Sequence, residues 1–186
     1  MTLDDRTTLI ATVLGVVLVL GGGWILVQGV ETAQVGSTAP PISARDLQGN
    51  LLSAEELEGK AVLLNIWATW CEPCRAEMPS MQRLYARFQD EPFVVVAVSI
   101  DGARSEEVVM ERIGRFVDDL GLEFSVAHDS RQVTRRRYQV RGLPESFLID
   151  QEGVIRNRII GAVDWDAPEY VEMVEAVLER NPGTGS

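Results

Sequence analysis

The sequence predicts an α/β domain in which a mixed sheet is flanked by helices, with an N-terminal β-hairpin extension and a preceding transmembrane helix. Three observations predict it. From Ala61 to Tyr138, apolar runs of strand length alternate with amphipathic helical patterns. Beyond them, Ser146–Asp150, a Glu152-Gly153 turn and Val154–Gly161 read as an antiparallel hairpin, closed by a last helix. Near the start, Leu9 to Val30 offers about 22 residues without a charge, about 33 Å of helix, which matches the hydrocarbon thickness of a bilayer.

The membrane segment sets the organisation of the chain. Residues 1–8 form a cytoplasmic flank, 9–30 the anchor, 31–38 a linker, 39–180 the globular domain and 181–186 a flexible tail. Trp24 suits an interface near the far end of the anchor, while Gly21-Gly22-Gly23 weakens the helix locally. A cleaved signal peptide is the competing reading. It wants a shorter apolar core and small residues before the cut, and Glu31 spoils the most obvious site, before Ala33. Arg6 precedes the segment and no Lys or Arg follows until Arg45, so the domain is expected in the periplasm or extracytoplasmic space, on a single-pass cell-membrane anchor.

Within the domain, Ile42–Leu47 and Leu51-Leu52 form a hairpin around Gln48-Gly49-Asn50, followed by a helical turn at Ala54–Leu57 that Gly59-Lys60 ends. Ala61–Trp67 is so continuously apolar that it reads as a strand buried on both faces. After Cys74 a helix runs to about Gln89, with Met78, Met81, Tyr85 and Phe88 on one side and Pro79 as a kink. Phe93–Ile100 is a second buried strand. Ser105 caps a helix with Glu106 and Glu107 in its first turn, Val108, Val109, Ile113, Phe116, Val117 and Leu120 on its apolar side, and Gly121 at its end. Glu123–Ala127 is the third strand, Ser130–Tyr138 a short helix and Ser146–Asp150 the fourth strand. The last helix, Ala167–Arg180, spaces Val171, Val174 and Val177 along one face.

The chemistry lies in Trp70-Cys71-Glu72-Pro73-Cys74, which holds both cysteines of the chain. The strand before it and the helix after it put Cys71 at a helix N-terminus, where unpaired N–H groups and the helix dipole favour the nucleophilic thiolate. Two intervening residues bring Cys74 close enough to resolve a mixed disulfide at Cys71 and to close an intramolecular one. Pro73 fits the first helical turn at no cost in hydrogen bonds. A structural zinc site shares this spacing but wants four ligands, and two cysteines with one histidine fall short.

Composition narrows the partners. A net charge of −11 argues against binding nucleic acid or anionic lipid non-specifically. The local exception is the cluster Arg131, Arg135, Arg136, Arg137 and Arg141, either a solvated helix face or a docking patch for an acidic partner. With a single cysteine pair, the fold is not one stapled by disulfides, and the pair reads as catalytic. His128, the only histidine, either begins a turn with Asp129 or serves as a base or ligand.

The stretch Leu63-Leu64-Asn65-Ile66-Trp67-Ala68-Thr69-Trp70-Cys71-Glu72-Pro73-Cys74-Arg75-Ala76-Glu77-Met78-Pro79 resembles the active site of thioredoxin-fold proteins, specifically the TlpA/ResA/CcmG group of membrane-anchored thiol–disulfide oxidoreductases. Arg141-Gly142-Leu143-Pro144-Glu145-Ser146-Phe147-Leu148-Ile149-Asp150 resembles the group's second signature, and the similarity spans roughly Val35 to Arg180. The resemblance implies a thioredoxin-like sheet, a redox-active Cys71–Cys74 disulfide and catalytic roles for Cys71, Cys74 and Glu77, the last tuning cysteine ionisation. It implies that Pro144 is a cis-proline that presents a backbone edge to an extended substrate, with Trp70, Glu72, Pro73 and Leu143 also on the substrate face. Asn65 departs from thioredoxin itself, which has an aspartate there, so proton handling falls to Glu77. Glu72 adds a negative charge beside Cys71 that opposes thiolate formation, so Cys71 is expected to be less acidic than in strong oxidants.

The expected activity is a protein disulfide reductase outside the cytoplasm. Cys71 attacks a substrate disulfide and Cys74 releases the reduced product. The resemblance adds apocytochrome c as a substrate class and recharging by a membrane thiol-transfer protein of the DsbD or CcdA kind, and it implies neither cofactor nor metal. A disulfide-forming oxidant is the first alternative. A copper-delivery protein similar to the Sco group is the second, although that group separates its cysteines by three residues. A peroxiredoxin-type peroxidase is set aside because its proline- and threonine-containing cysteine motif is missing.

Overall fold

A computed structural model of the chain describes residues 33–102 and 105–180. The expected flank at 1–8, anchor at 9–30 and tail at 181–186 lie outside the described residues. No helix among the described residues is long and apolar enough to cross a membrane.

Among the described residues, eleven elements follow in the order β1 (Arg45–Asp46), α1 (Ala54–Leu57), β2 (Ala61–Trp67), α2 (Glu72–Arg87), β3 (Phe93–Ser99), α3 (Glu106–Leu120), β4 (Ser125–His128), α4 (Val133–Arg137), β5 (Glu145–Ile149), β6 (Ile155–Ile160) and α5 (Pro168–Leu178). They build one six-stranded sheet in the order β1-β4-β3-β2-β5-β6. The helical crossovers α2 and α3 make β2, β3 and β4 parallel, whereas β5 returns antiparallel to β2 and carries β6 as its hairpin partner. This is the mixed α/β sheet that the alternation of patterns predicts.

β2 lies between β3 and β5, and all seven of its residues are buried, as its unbroken apolar run requires. Its carboxyl end is therefore clamped from both sides, and the Ile100 amide extends the clamp by donating to the Trp67 carbonyl at 2.9 Å. Trp67 itself is fully buried against Phe116 of α3, ring centroids 4.9 Å apart. A rigid strand thus delivers the next residues to a fixed place.

The edges of the domain differ more from expectation. The N-terminal hairpin shrinks to the two-residue β1 with a single bridge from Arg45 to Leu51, and β1 pairs instead with β4. Asp46 explains the tight turn: its carboxylate accepts from the amides of Gln48 and Asn50, so a side chain does what a longer ladder would do. Residues 33–38, expected as part of a free linker, are stitched to the domain. The Gly36 amide donates to Ile155, the Ile155 amide to Ser37 and the Ala39 amide to Gly153, at 2.8–2.9 Å. Ala33 is fully buried.

In α3 only Val109, Ile113 and Phe116 are buried, while Val108 and Leu120 are exposed, because a four-turn helix covers the sheet with one stripe. Gly121 ends it in the left-handed conformation (φ 58°), and the Ser105 hydroxyl makes no capping bond. α4 starts at Val133, later than the pattern suggests, because the Asp129 carboxylate caps it from outside through the amides of Val133 and Arg135.

Candidate functional site

The turn after β2 places Cys71 as the N-cap of α2, with extended backbone (φ −88°, ψ 102°), and its sulfur accepts from the Cys74 amide at 3.3 Å. α2 begins at Glu72, earlier than the sequence pattern alone marks, so Pro73 and Cys74 both lie in its first turn. The two cysteines form a disulfide with Cα atoms 5.3 Å apart. Cys74 is wholly buried and Cys71 retains 6 % exposure, so an incoming sulfur reaches only Cys71. The backbone N–H and the helix terminus that now surround the Cys71 sulfur would stabilise its thiolate after reduction.

Trp70 stands beside this pair with two thirds of its surface exposed. Glu72 is also exposed, and its 3.9 Å contact with Arg75 is a surface ion pair of little energetic weight. The Leu143–Pro144 peptide is cis, and Pro144 falls one step past the last β2–β5 pair, Ile66 with Glu145. It is buried, with Leu143 half-buried ahead of it. The sheet therefore brings the second signature to the carboxyl end of β2, where the cysteine turn begins.

Glu77 lies one helical turn beyond Cys74 and is buried at 3 % exposure. Burial raises its pKa from the usual 4.5 to about 7, against the pull of three donors: Asn65 Nδ2 at 2.8 Å, the Val163 amide at 3.3 Å and the Trp165 indole N–H at 3.2 Å. All three favour the carboxylate. Asn65 also donates to Ser146 Oγ at 2.9 Å, and its own Oδ1 is buried without a partner. Rotating that amide by half a turn would set Oδ1 where Nδ2 now is, as the acceptor for a protonated Glu77. The pocket can thus hold Glu77 in both protonation states.

Residues 35–158 match the model of the AhpC/TSA family. The chain belongs to that family. It is 38 % identical over 152 residues to the thiol–disulfide oxidoreductase ResA of Bacillus thuringiensis (strain Al Hakam), covering 78 % of this chain and 84 % of ResA. It is 35 % identical to the thioredoxin-like protein YneN of Bacillus subtilis, over 83 % of this chain and 90 % of YneN. Among solved structures, a Chlorobium tepidum protein assigned as the thiol:disulfide interchange protein DsbE superposes with a TM-score of 0.69 at 31 % identity, covering 78 % of this chain and 98 % of that one. This AhpC/TSA protein is thus a thioredoxin-like thiol–disulfide oxidoreductase, similar to ResA, with a redox-active CxxC pair.

Asp101 and Trp165 belong to the thioredoxin-like site although no motif in the sequence marks them. Asp101, just past β3 and 2 % exposed, accepts from the Thr69 amide at 2.8 Å, the Thr69 hydroxyl at 2.5 Å and the Ser99 hydroxyl at 2.6 Å. It therefore ties down the turn that leads into Cys71. Arg75 adds a donation to the Thr69 carbonyl at 3.3 Å while its guanidinium lies over Phe116. The signal is an acid just after an apolar strand, at the same carboxyl end of the sheet as the cysteines. Trp165 packs on Tyr170 and donates its indole N–H to Glu77. His128 is buried, and its Nε2 donates to the Asp101 carbonyl at 2.9 Å, so it props the same turn. Replacing Asp101 with alanine leaves three buried donors without acceptors, and urea unfolding of the oxidised protein should show a loss of about 3 kcal/mol.

Proposed function

We propose that this oxidoreductase reduces protein disulfides outside the cytoplasm, from a single-pass membrane anchor at 9–30. The observation that carries the direction is Glu72, at the first position of α2 next to the nucleophile. Its charge opposes the Cys71 thiolate, and a less stabilised thiolate makes the dithiol a better electron donor.

In the forward reaction the Cys71 thiolate attacks one sulfur of the substrate disulfide. The substrate S–S bond breaks, a Cys71–substrate disulfide forms, and the other substrate sulfur leaves as a thiolate and takes up a proton. Cys74 then gives up its proton, for which Glu77 is the nearby acceptor, and attacks the Cys71 sulfur. The mixed disulfide breaks, the second substrate thiol departs, and the Cys71–Cys74 disulfide remains. Two electrons have passed to the substrate with two protons, one from Cys74 by way of Glu77 and one from solvent, in place of the proton Cys71 had lost on becoming a thiolate. A membrane thiol-transfer protein of the DsbD or CcdA kind supplies the next pair by the same exchange in reverse. Trp70, Glu72, Pro73, Leu143 and Pro144 form the surface against which an extended substrate peptide lies, its backbone pairing beside the cis-proline.

Apocytochrome c is the substrate class in this reading, as a peptide with a CxxCH disulfide. The reduced full chain in neutral detergent should convert such a synthetic peptide to its dithiol, one per protein, and Cys71→Ser should abolish the reaction. Net oxidation of the dithiol peptide by the disulfide form, outrunning the reverse, would contradict the proposed direction.

A further inference from the structure

Among the described residues, the arginine cluster that the sequence sets apart makes no side-chain ion pair. From Arg131 to Arg141 there are five arginines and no acidic residue. Elsewhere Arg75, Arg83, Arg87, Arg112, Arg115, Arg156 and Arg158 each lie within 4.0 Å of a carboxylate. Among the described residues, none of the five guanidinium groups in the cluster does. Their hydrogen bonds go to neutral acceptors: Arg135 to the Gln132 side-chain oxygen, Arg136 to the Arg131 carbonyl and Arg137 to the Pro41 carbonyl, at 2.7–2.9 Å.

The acids that bracket the cluster are buried and meet it only through backbone amides. Asp129, 1 % exposed, spends its carboxylate on the amides of Val133 and Arg135. Glu145, 2 % exposed, is paired with Arg158. Arg131, Arg136, Arg137 and Arg141 are exposed, so a protein of net charge −11 carries a local cluster of arginines without ion-pair partners. That cluster runs into the substrate loop: Arg141 lies two residues before Leu143 and the cis-proline, and its amide contacts Glu145 Oε2 at 3.4 Å.

We infer that Arg131–Arg141 is a docking surface for disulfide substrates whose cysteines are flanked by acidic residues. The inference rests on the reductase reading and adds a substrate class to it. The rest of the acidic surface repels such a partner, whereas the patch attracts it and orients it toward Leu143 and Pro144. Complementary patches of this kind act mainly on the encounter rate and are screened by salt.

The test uses the reduced full chain in neutral detergent and three synthetic peptides with the same disulfide loop, flanked by glutamates, by lysines or by uncharged residues. At about 0.02 M salt the glutamate peptide should be reduced about ten-fold faster than the lysine peptide, and the ratio should approach one at about 0.5 M. Arg131→Gln/Arg136→Gln/Arg141→Gln should erase the preference and leave the rate with the uncharged peptide unchanged. The triple Arg→Glu variant at the same positions should reverse the preference, which misfolding cannot do. Equal rates for the charged peptides, or a preference that survives the triple variant, would overturn the inference. Equal rates together with protection of these arginines from phenylglyoxal by phosphatidylglycerol would reassign the face to lipid headgroups. Failure to reduce the uncharged peptide would instead strike the reductase reading itself.

Discussion

Glu77→Gln is expected to slow turnover about 100-fold and to remove an inflection near pH 7 from the rate profile. The buried carboxylate is the ionisable group one turn from Cys74, and its pKa of about 7 suits it to accept the resolving thiol's proton and return it. Glutamine cannot do either. The same substitution carries a thermodynamic signature. Because burial raises the folded-state pKa above 4.5, the folded protein holds a proton that the unfolded chain has lost between about pH 4.5 and 7. Stability from this group is therefore full below about pH 4.5 and falls as pH rises through about 7, by about 3 kcal/mol in total. Glu77→Gln has no such loss, so its stability relative to the wild type should improve by that amount across the same range. Urea unfolding at a series of pH values measures it, and a constant difference would show that Glu77 does not titrate there.

Cys74→Ser should convert a catalyst into a trap. Cys71 remains at the helix terminus with its residual exposure, so it still attacks a substrate disulfide. Without Cys74 nothing inside the protein displaces the product, and the mixed disulfide accumulates to one equivalent. Cys71→Ser should form no mixed disulfide at all, because Cys74 has no exposed surface. Mass spectrometry of acid-quenched mixtures distinguishes the two variants. Trapping through Cys74 in the Cys71→Ser protein would reverse the assignment of attacking and resolving thiols.

The parts of this protein legible in the sequence are those fixed by local pattern. β2 runs from Ala61 to Trp67 as its apolar run dictates, and that strand feeding a CxxC locates the redox-active pair. The cis peptide before Pro144 was reachable only through resemblance, since nothing in Leu143-Pro144 itself distinguishes it from a turn proline. What remained hidden depends on residues distant in the chain. Asp101 holds a turn 32 residues before it, and Trp165 reaches Glu77 across 88 residues. The role of Glu77 was reachable only through resemblance, and its burial comes from the packing of α2 against Asn65 and the 163–165 segment. The linker was misjudged for a related reason. Small and polar residues suit a tether, and equally suit close backbone pairing with the β5–β6 turn and the start of β6.

Whether the Cys71–Cys74 pair gives or takes electrons is read from its reduction potential. The full chain would be equilibrated in glutathione and dithiothreitol buffers, and the fraction of free thiols read by alkylation. A value below about −220 mV is expected, among the reducing members of the fold. A value near about −120 mV, that of a strong disulfide donor, would contradict the account.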